Sequence, residues 1–201
     1  MAKKSSEPRT SERNRKTKET DISCKINLDG KGKSNVETKI GFFNHMLTAL
    51  AKHSGFDLDF NCNGDLEVDN HHSVEDSGIV LGEAFNKALG DKVKIQRYAN
   101  FCMPMDDALV LCAIDLCGRA FYQDDAFFYT PKVGDFETEC TKEFFRSFAE
   151  NANMNLHFVV IRGENSHHII EAMFKSLAKC LHDATRINDE IDGMLSTKGV
   201  I

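Results

Sequence analysis

A chain of 201 residues with 41% apolar side chains can bury a real core, as one domain or two small ones, and is too apolar for wholesale disorder. The formal charge of −6 is uneven: residues 1–18 hold seven Lys/Arg against two Asp/Glu, which leaves the body at −11. An acidic body excludes a nucleic-acid-binding surface, and no run approaches the ~18 apolar residues of a membrane helix.

The opening "MAKKSSEPRTSERNRKTK", residues 1–18, lacks the apolar stretch of a secretion signal and reads as a flexible basic tail. "DISCKINL" alternates Ile22, Cys24, Ile26 and Leu28 with polar residues, which predicts a half-buried strand; "SNVETKI" alternates likewise after a "GKGK" turn. "FFNHMLTALAKHS" has helical spacing and Gly55 as its stop. "FDLDFNC" predicts another strand, and a helix opens near His71 and runs to about Leu89. Beyond it, "ALVLCAIDLCGRAFY" predicts a pair of strands, "KEFFRSFAENA" a helix, "NLHFVVIRG" a strand and "SHHIIEAMFKSLAKCLHDATR" a helix. The seven cysteines are odd in number, form no C-x-x-C pair and sit mostly among apolar residues, as expected of reduced thiols in a cytoplasmic protein.

The closing helices of the two halves match at a fixed offset of 96: His71, His72 and Glu75 fall on His167, His168 and Glu171. The apolar stripe behind them matches too, with Val74 on Ile170, Leu81 on Leu177, Phe85 on Leu181 and Ala88 on Ala184. This predicts a duplicated α/β module, each copy a sheet with two helices on one face, related by pseudo-twofold symmetry. The first repeat spans 19–95 and the second 96–201, together one compact unit.

In H-H-x-x-E the first histidine and the glutamate lie four apart on one helical face and can share a cation. The second histidine points about 100° away from the first. His71 with Glu75 would therefore begin one metal site and His167 with Glu171 another, while His72 and His168 reach across to the site begun by a different helix. His45, flanked by apolar residues in "GFFNHML", is a further candidate ligand. Imidazole with carboxylate suits Mn²⁺, Fe²⁺ or Zn²⁺, and the absence of thiolates from the motifs argues against a structural zinc knot. His53, His157 and His182 have no duplicated context and read as ordinary histidines; the Phe-rich stretches read as core. Arg97, Arg119, Lys175 and the "STKG" segment (Ser196, Thr197, Lys198, Gly199) are candidate anion contacts.

"TKETDI", "GFFNHML", "HHSVEDSGIVLGEAF", "RYANFCMPMDDAL", "DLCGR", "VGDFETE", "FFRSFA", "GENSHHIIEAMFKSLAKCL" and "STKG" occur in the order seen in imidazoleglycerol-phosphate dehydratases, and the chain resembles that family over residues 13–201. The resemblance implies duplicated ferredoxin-like modules and a manganese-dependent hydro-lyase of histidine biosynthesis. Such an enzyme turns the small phosphorylated substrate D-erythro-imidazoleglycerol phosphate into imidazoleacetol phosphate, with two Mn²⁺ per active site. It also implies a cytoplasmic homo-oligomer, a 24-subunit shell with active sites between subunits. Carried over residue by residue, the ligands are His45, His72, His167 and Glu171 in one set and His71, Glu75, His168 and a fourth residue in the other. The family's histidine before "FF" stands as Glu143 here, a carboxylate able to take that fourth place; Ala49 and Asn44 stand where the family has glutamine and aspartate. The same resemblance implies Glu171 and Glu19 at the reacting end and Asp106 as a proton shuttle. Phosphate contacts would come from Arg97, Arg119, Lys175, Thr197, Lys198 and Gly199, with Glu19 also lining the substrate site. Two rival readings stay open. One is an assembly paralogue that keeps the metals and has lost turnover; the other is a metallohydrolase that releases phosphate.

Overall fold

The computed structural model describes residues 8–201. Strands β1 (Thr10–Lys16), β2 (Thr20–Asn27) and β3 (Ser34–Glu37) are followed by helix α1 (Gly41–Ser54), strand β4 (Asp57–Gly64) and helix α2 (His71–Leu89). The second half repeats that order with β5 (Tyr98–Met105), β6 (Ala108–Asp115) and β7 (Phe121–Gln123). A small hairpin of β8 (Lys132–Val133) and β9 (Phe136–Glu137) comes next, then helix α3 (Cys140–Ala152), strand β10 (Asn155–Arg162) and helix α4 (Ser166–Ala184), after which residues 185–201 run on outside helix and strand. The sheets run β1-β2-β4-β3 and β5-β6-β10-β7, with the last pair parallel and the others antiparallel in both. This is the duplicated α/β fold expected from the repeat, with the ferredoxin-like modules that the family resemblance implies.

Each half packs its helices on one face of its own sheet and against the helices of the other half, α1 on α4 and α2 on α3. Phenylalanines stitch the halves together: Phe43 meets Phe144 at 5.4 Å and Phe85 meets Phe148 at 5.9 Å between ring centroids. Two glycines let α2 and α3 approach. A Cβ on Gly78 would lie 2.6 Å from the carbonyl oxygen of Phe144, and one on Gly82 2.7 Å from that of Phe148. At the end of α1, Gly55 takes the left-handed conformation (φ 79°) and its N–H closes the last turn on Ala51.

The structure departs from the sequence expectations in places. Within the stretch expected to be a flexible tail, Thr10–Lys16 form strand β1; residues 1–7 lie outside the described residues. β1 carries no apolar alternation because its inward side chains are polar. Ser11 donates to the Ala84 carbonyl at 2.6 Å, Arg13 pairs with Glu83, and Arg15 lies 2.5 Å from Asp76. The backbone ladder to β2 and these bonds to α2 replace an apolar stripe. The two strands expected over "ALVLCAIDLCGRAFY" are β6 and β7, but β10 lies between them in the sheet. Strand β5 and the β8–β9 hairpin were not anticipated. Among the described residues no helix is long and apolar enough to cross a membrane.

Candidate metal centre

Helices α1 and α4 bring His45, His167 and Glu171 together. Oε2 of Glu171 lies 3.1 Å from Nε2 of His167, one turn earlier on α4, and 3.3 Å from Nε2 of His45. Asn165 caps α4 by accepting the His168 N–H at 3.3 Å, which sets where the first turn and its histidines begin. Phe42 stands edge-on to the His167 ring at 5.0 Å. Burial opposes the charge of Glu171, but Lys175, with Nζ 2.5 Å from Oε1, followed by His167 and His45, more than offsets it. The carboxyl is thus held below its ordinary range and stays ionised.

The second cluster joins His71 and Glu75 of α2 to Glu143 of α3. Nε2 of His71 lies 3.6 Å from Oε2 of Glu75. The close crossing of α2 and α3 at Gly78, beside Phe144, is what places Glu143 there. In each cluster one donor atom per residue lies within 4.8 Å of the others. Imidazole and carboxylate donors converging in this way fit a divalent cation.

His72 and His168 join neither cluster within the chain. The His71 and His72 rings stand at 89° with centroids 6.2 Å apart, so the neighbours diverge as helical geometry requires. Nδ1 of His72 lies 3.0 Å from Asp65, and Nδ1 of His168 lies 2.6 Å from Asp107. A carboxylate at Nδ1 holds the proton there and leaves the Nε2 lone pair for a ligand, an arrangement common among metal-binding histidines. The Asp65 bond raises the His72 pKa above its ordinary value. Asp107 is held well below the usual carboxylate range, first by the Glu164 N–H and then by His168 and the Asn165 N–H. Neither aspartate is marked in the sequence: Asp65 follows β4 and Asp107 sits in the β5–β6 turn, with no shared spacing.

Glu19 and Asp106 accompany these two histidines. The Glu19 carbonyl accepts the Asp65 N–H at 3.1 Å, and its carboxylate contributes to the raised His72 pKa. Asp106, at φ 48° in the two-residue hairpin turn, places Oδ2 3.4 Å from Nε2 of His168. Within one chain, therefore, Glu19 lies beside His72 rather than beside Glu171.

Arg97, Arg119, Thr197 and Lys198 line a separate cavity of about 740 Å³. Arg97 donates to Asp115 at 2.7 Å and to the Leu195 carbonyl at 2.6 Å, and its guanidinium stacks over Tyr98 at 4.6 Å. The "STKG" turn is held by the Ser196 hydroxyl on the Val200 carbonyl at 2.9 Å, with Gly199 at φ 69°. Lys175 does not line this cavity; it sits on Glu171. Asn44 accepts from the Thr38 N–H at 2.8 Å and so holds the β3–α1 junction. Ala49 is buried one turn beyond His45. His182 meets the Ser54 carbonyl at 2.8 Å through Nδ1 and pins the ends of α1 and α4.

The fold and these clusters define a duplicated α/β enzyme scaffold with two sets of side chains able to hold metal. A profile of the imidazoleglycerol-phosphate dehydratase family matches residues 38–181. Imidazoleglycerol-phosphate dehydratase of Acetivibrio thermocellus is 55% identical over 187 residues, 93% of this chain and 96% of the relative. That of Clostridium kluyveri is 52% identical over 193 residues, 96% of this chain and all of the relative. The crystal structure of the Pyrococcus furiosus dehydratase in complex with (S)-C348 superposes with a TM-score of 0.81 at 38% identity, covering 94% of this chain and 99% of that one. The Staphylococcus aureus enzyme superposes at 0.80 and 36% identity, over 89% of this chain and 99% of that one. The chain belongs to the imidazoleglycerol-phosphate dehydratase family.

Proposed function

We propose that this protein removes water from D-erythro-imidazoleglycerol phosphate to give imidazoleacetol phosphate, using two Mn²⁺ per active site, in the histidine pathway of the cytoplasm. The observation that carries this reading is the division of each histidine pair: one member stands in a cluster with a glutamate, and the other stands apart from it, held at Nδ1 by an aspartate. His72 would complete the His45, His167 and Glu171 set of a neighbouring subunit, and His168 the His71, Glu75 and Glu143 set. Glu19 and Asp106 then travel with those histidines into a site shared between chains. The repeats 19–95 and 96–201 act as one unit: each cluster draws residues from both repeats, and each repeat supplies one crossing histidine.

When bound, the ions would stabilise negative charge on the substrate's imidazole. The chain's own groups do the rest. Arg97 and Arg119, with Thr197, Lys198 and the Gly199 backbone, hold the phosphate as charged and hydroxyl donors. Lys175, away from that cavity in its own chain, reaches the substrate from the Glu171 side. Glu171 and Glu19 flank the reacting carbons. A carboxylate accepts the proton from C2, the C3 hydroxyl leaves as water with a proton relayed by Asp106, and the resulting enol tautomerises to the ketone.

Assembly into a shell of 24 is supported by the open face of the second sheet. There Leu111 pairs with Val159 and Cys102, and the neighbouring Ile161, Phe121 and Tyr98 are roughly half exposed. The first sheet carries a polar row instead, Glu12–Lys25–Asp59–Asn35. An apolar sheet face of this kind marks an interface.

The deciding experiment supplies imidazoleglycerol phosphate to metal-stripped protein with and without Mn²⁺, following ketone, phosphate and particle size. Mn²⁺-dependent ketone formation is the expected outcome. Phosphate release would identify a hydrolase, and assembly without turnover a paralogue that has lost catalysis.

A further inference from the structure

The second cluster carries one more carboxylate than the first, and like charges at such spacing repel. Arg146 of α3 lies against both. Its Nη2 donates to Oε1 of Glu75 at 2.8 Å and to Oε2 of Glu143 at 2.6 Å, while its Nε donates to the same Glu143 oxygen at 3.1 Å. One turn further along α3, Glu150 accepts from Nη1 at 3.1 Å and fixes the plane of the guanidinium from the other side.

The oxygens are divided. Glu75 gives Oε1 to Arg146 and turns Oε2 toward Nε2 of His71, 3.6 Å away. Glu143 accepts both bonds on Oε2, so its other oxygen stays off the guanidinium. The first cluster has no such fork: Lys175 meets Glu171 as a single point charge.

We propose that Arg146 is the positioning residue of the second metal cluster. It neutralises the extra carboxylate and ties down one oxygen each of Glu75 and Glu143, leaving the others to converge with His71 on one divalent cation. Arg146 touches neither cation nor substrate in this scheme. The inference rests on the metal reading above. The opposite role, a guanidinium standing in the cation's place that must leave before metal enters, makes the opposite prediction for affinity.

The test titrates Mn²⁺ into metal-stripped, assembled protein, following free Mn²⁺ by its electron paramagnetic resonance signal. Glu75→Gln identifies which binding class belongs to the second cluster. Arg146→Gln is expected to weaken that class by roughly 10–100-fold, the usual effect of removing a partner that orients a ligand. The first class should stay as in the wild type. Arg146→Lys, which keeps charge and loses the fork, should recover part of the loss and gives the same readout if the Gln variant fails to assemble. Unchanged or tighter binding at the second class in both variants would overturn the proposal. A wild-type protein that takes up no Mn²⁺ would overturn the metal reading and this inference together.

Discussion

Adjacent helical histidines take different partners here because their rings diverge around the helix. His71 is paired along its own helix with Glu75, whereas His72 is tied at Nδ1 to Asp65 and His168 to Asp107. The doubled H-H-x-x-E spacing was legible in the chain because helical geometry alone relates its members. The aspartates were not, since chain separation says nothing about which loop folds over a helix start. Asp107→Asn keeps an acceptor for the Glu164 and Asn165 N–H groups but removes the charge that orients His168. The expected result is roughly 10–100-fold weaker Mn²⁺ uptake at the class His168 serves, measured by titration, with an unchanged circular dichroism spectrum.

Between elements, the crossing of α2 and α3 depends on missing side chains. Gly78→Ala gains helix propensity worth up to about 1 kcal/mol, but its Cβ would sit 2.6 Å from a backbone carbonyl that can move only with its helix. Overpacking costs about 1–3 kcal/mol, so the net expectation is a loss of up to about 2 kcal/mol in chemical denaturation. The helices should also part where Glu143 meets His71 and Glu75, weakening second-cluster Mn²⁺ uptake. Strand β1 is anchored at its start by Arg9, which donates to both oxygens of Asp29 and to the Thr185 carbonyl at 2.7 Å. The Arg9 hydrogen bond holds the Asp29 pKa below its ordinary 3.8. A carboxyl depressed on folding contributes stability above its unfolded value and loses it as pH falls through the folded one. Thermal melts of wild type and Asp29→Asn should therefore differ at neutral pH and converge once the pH is taken below 3.8 and through the folded pKa. A gap that persists into strong acid would remove the ion pair as its source.

At the scale of the whole molecule, the two sheets share a topology and differ in what they show to solvent. The polar row of the first suits water; the apolar row of the second, with Val159 and Leu111 at its centre, suits another copy of the chain. Val159→Glu places a charge in that row without entering the core, since Val159 is 44% exposed in the single chain. Sedimentation should then report smaller particles with an unchanged circular dichroism spectrum. Particles of wild-type size would move the interface elsewhere.

By itself the sequence determined the α/β class, the repeat, the helices and the two His–Glu pairs, because periodicity acts over one or two turns and a repeat at a fixed offset is present in the chain before it folds. It also carried the family resemblance through motifs in order. Only the tertiary structure decided that charged residues 10–16 form a strand, that Asp65 and Asp107 hold His72 and His168, and that Arg146 forks Glu75 and Glu143. It also separated Lys175 from the Arg97 cavity. Those are contacts between side chains on different elements, and their geometry exists only once the helices have packed.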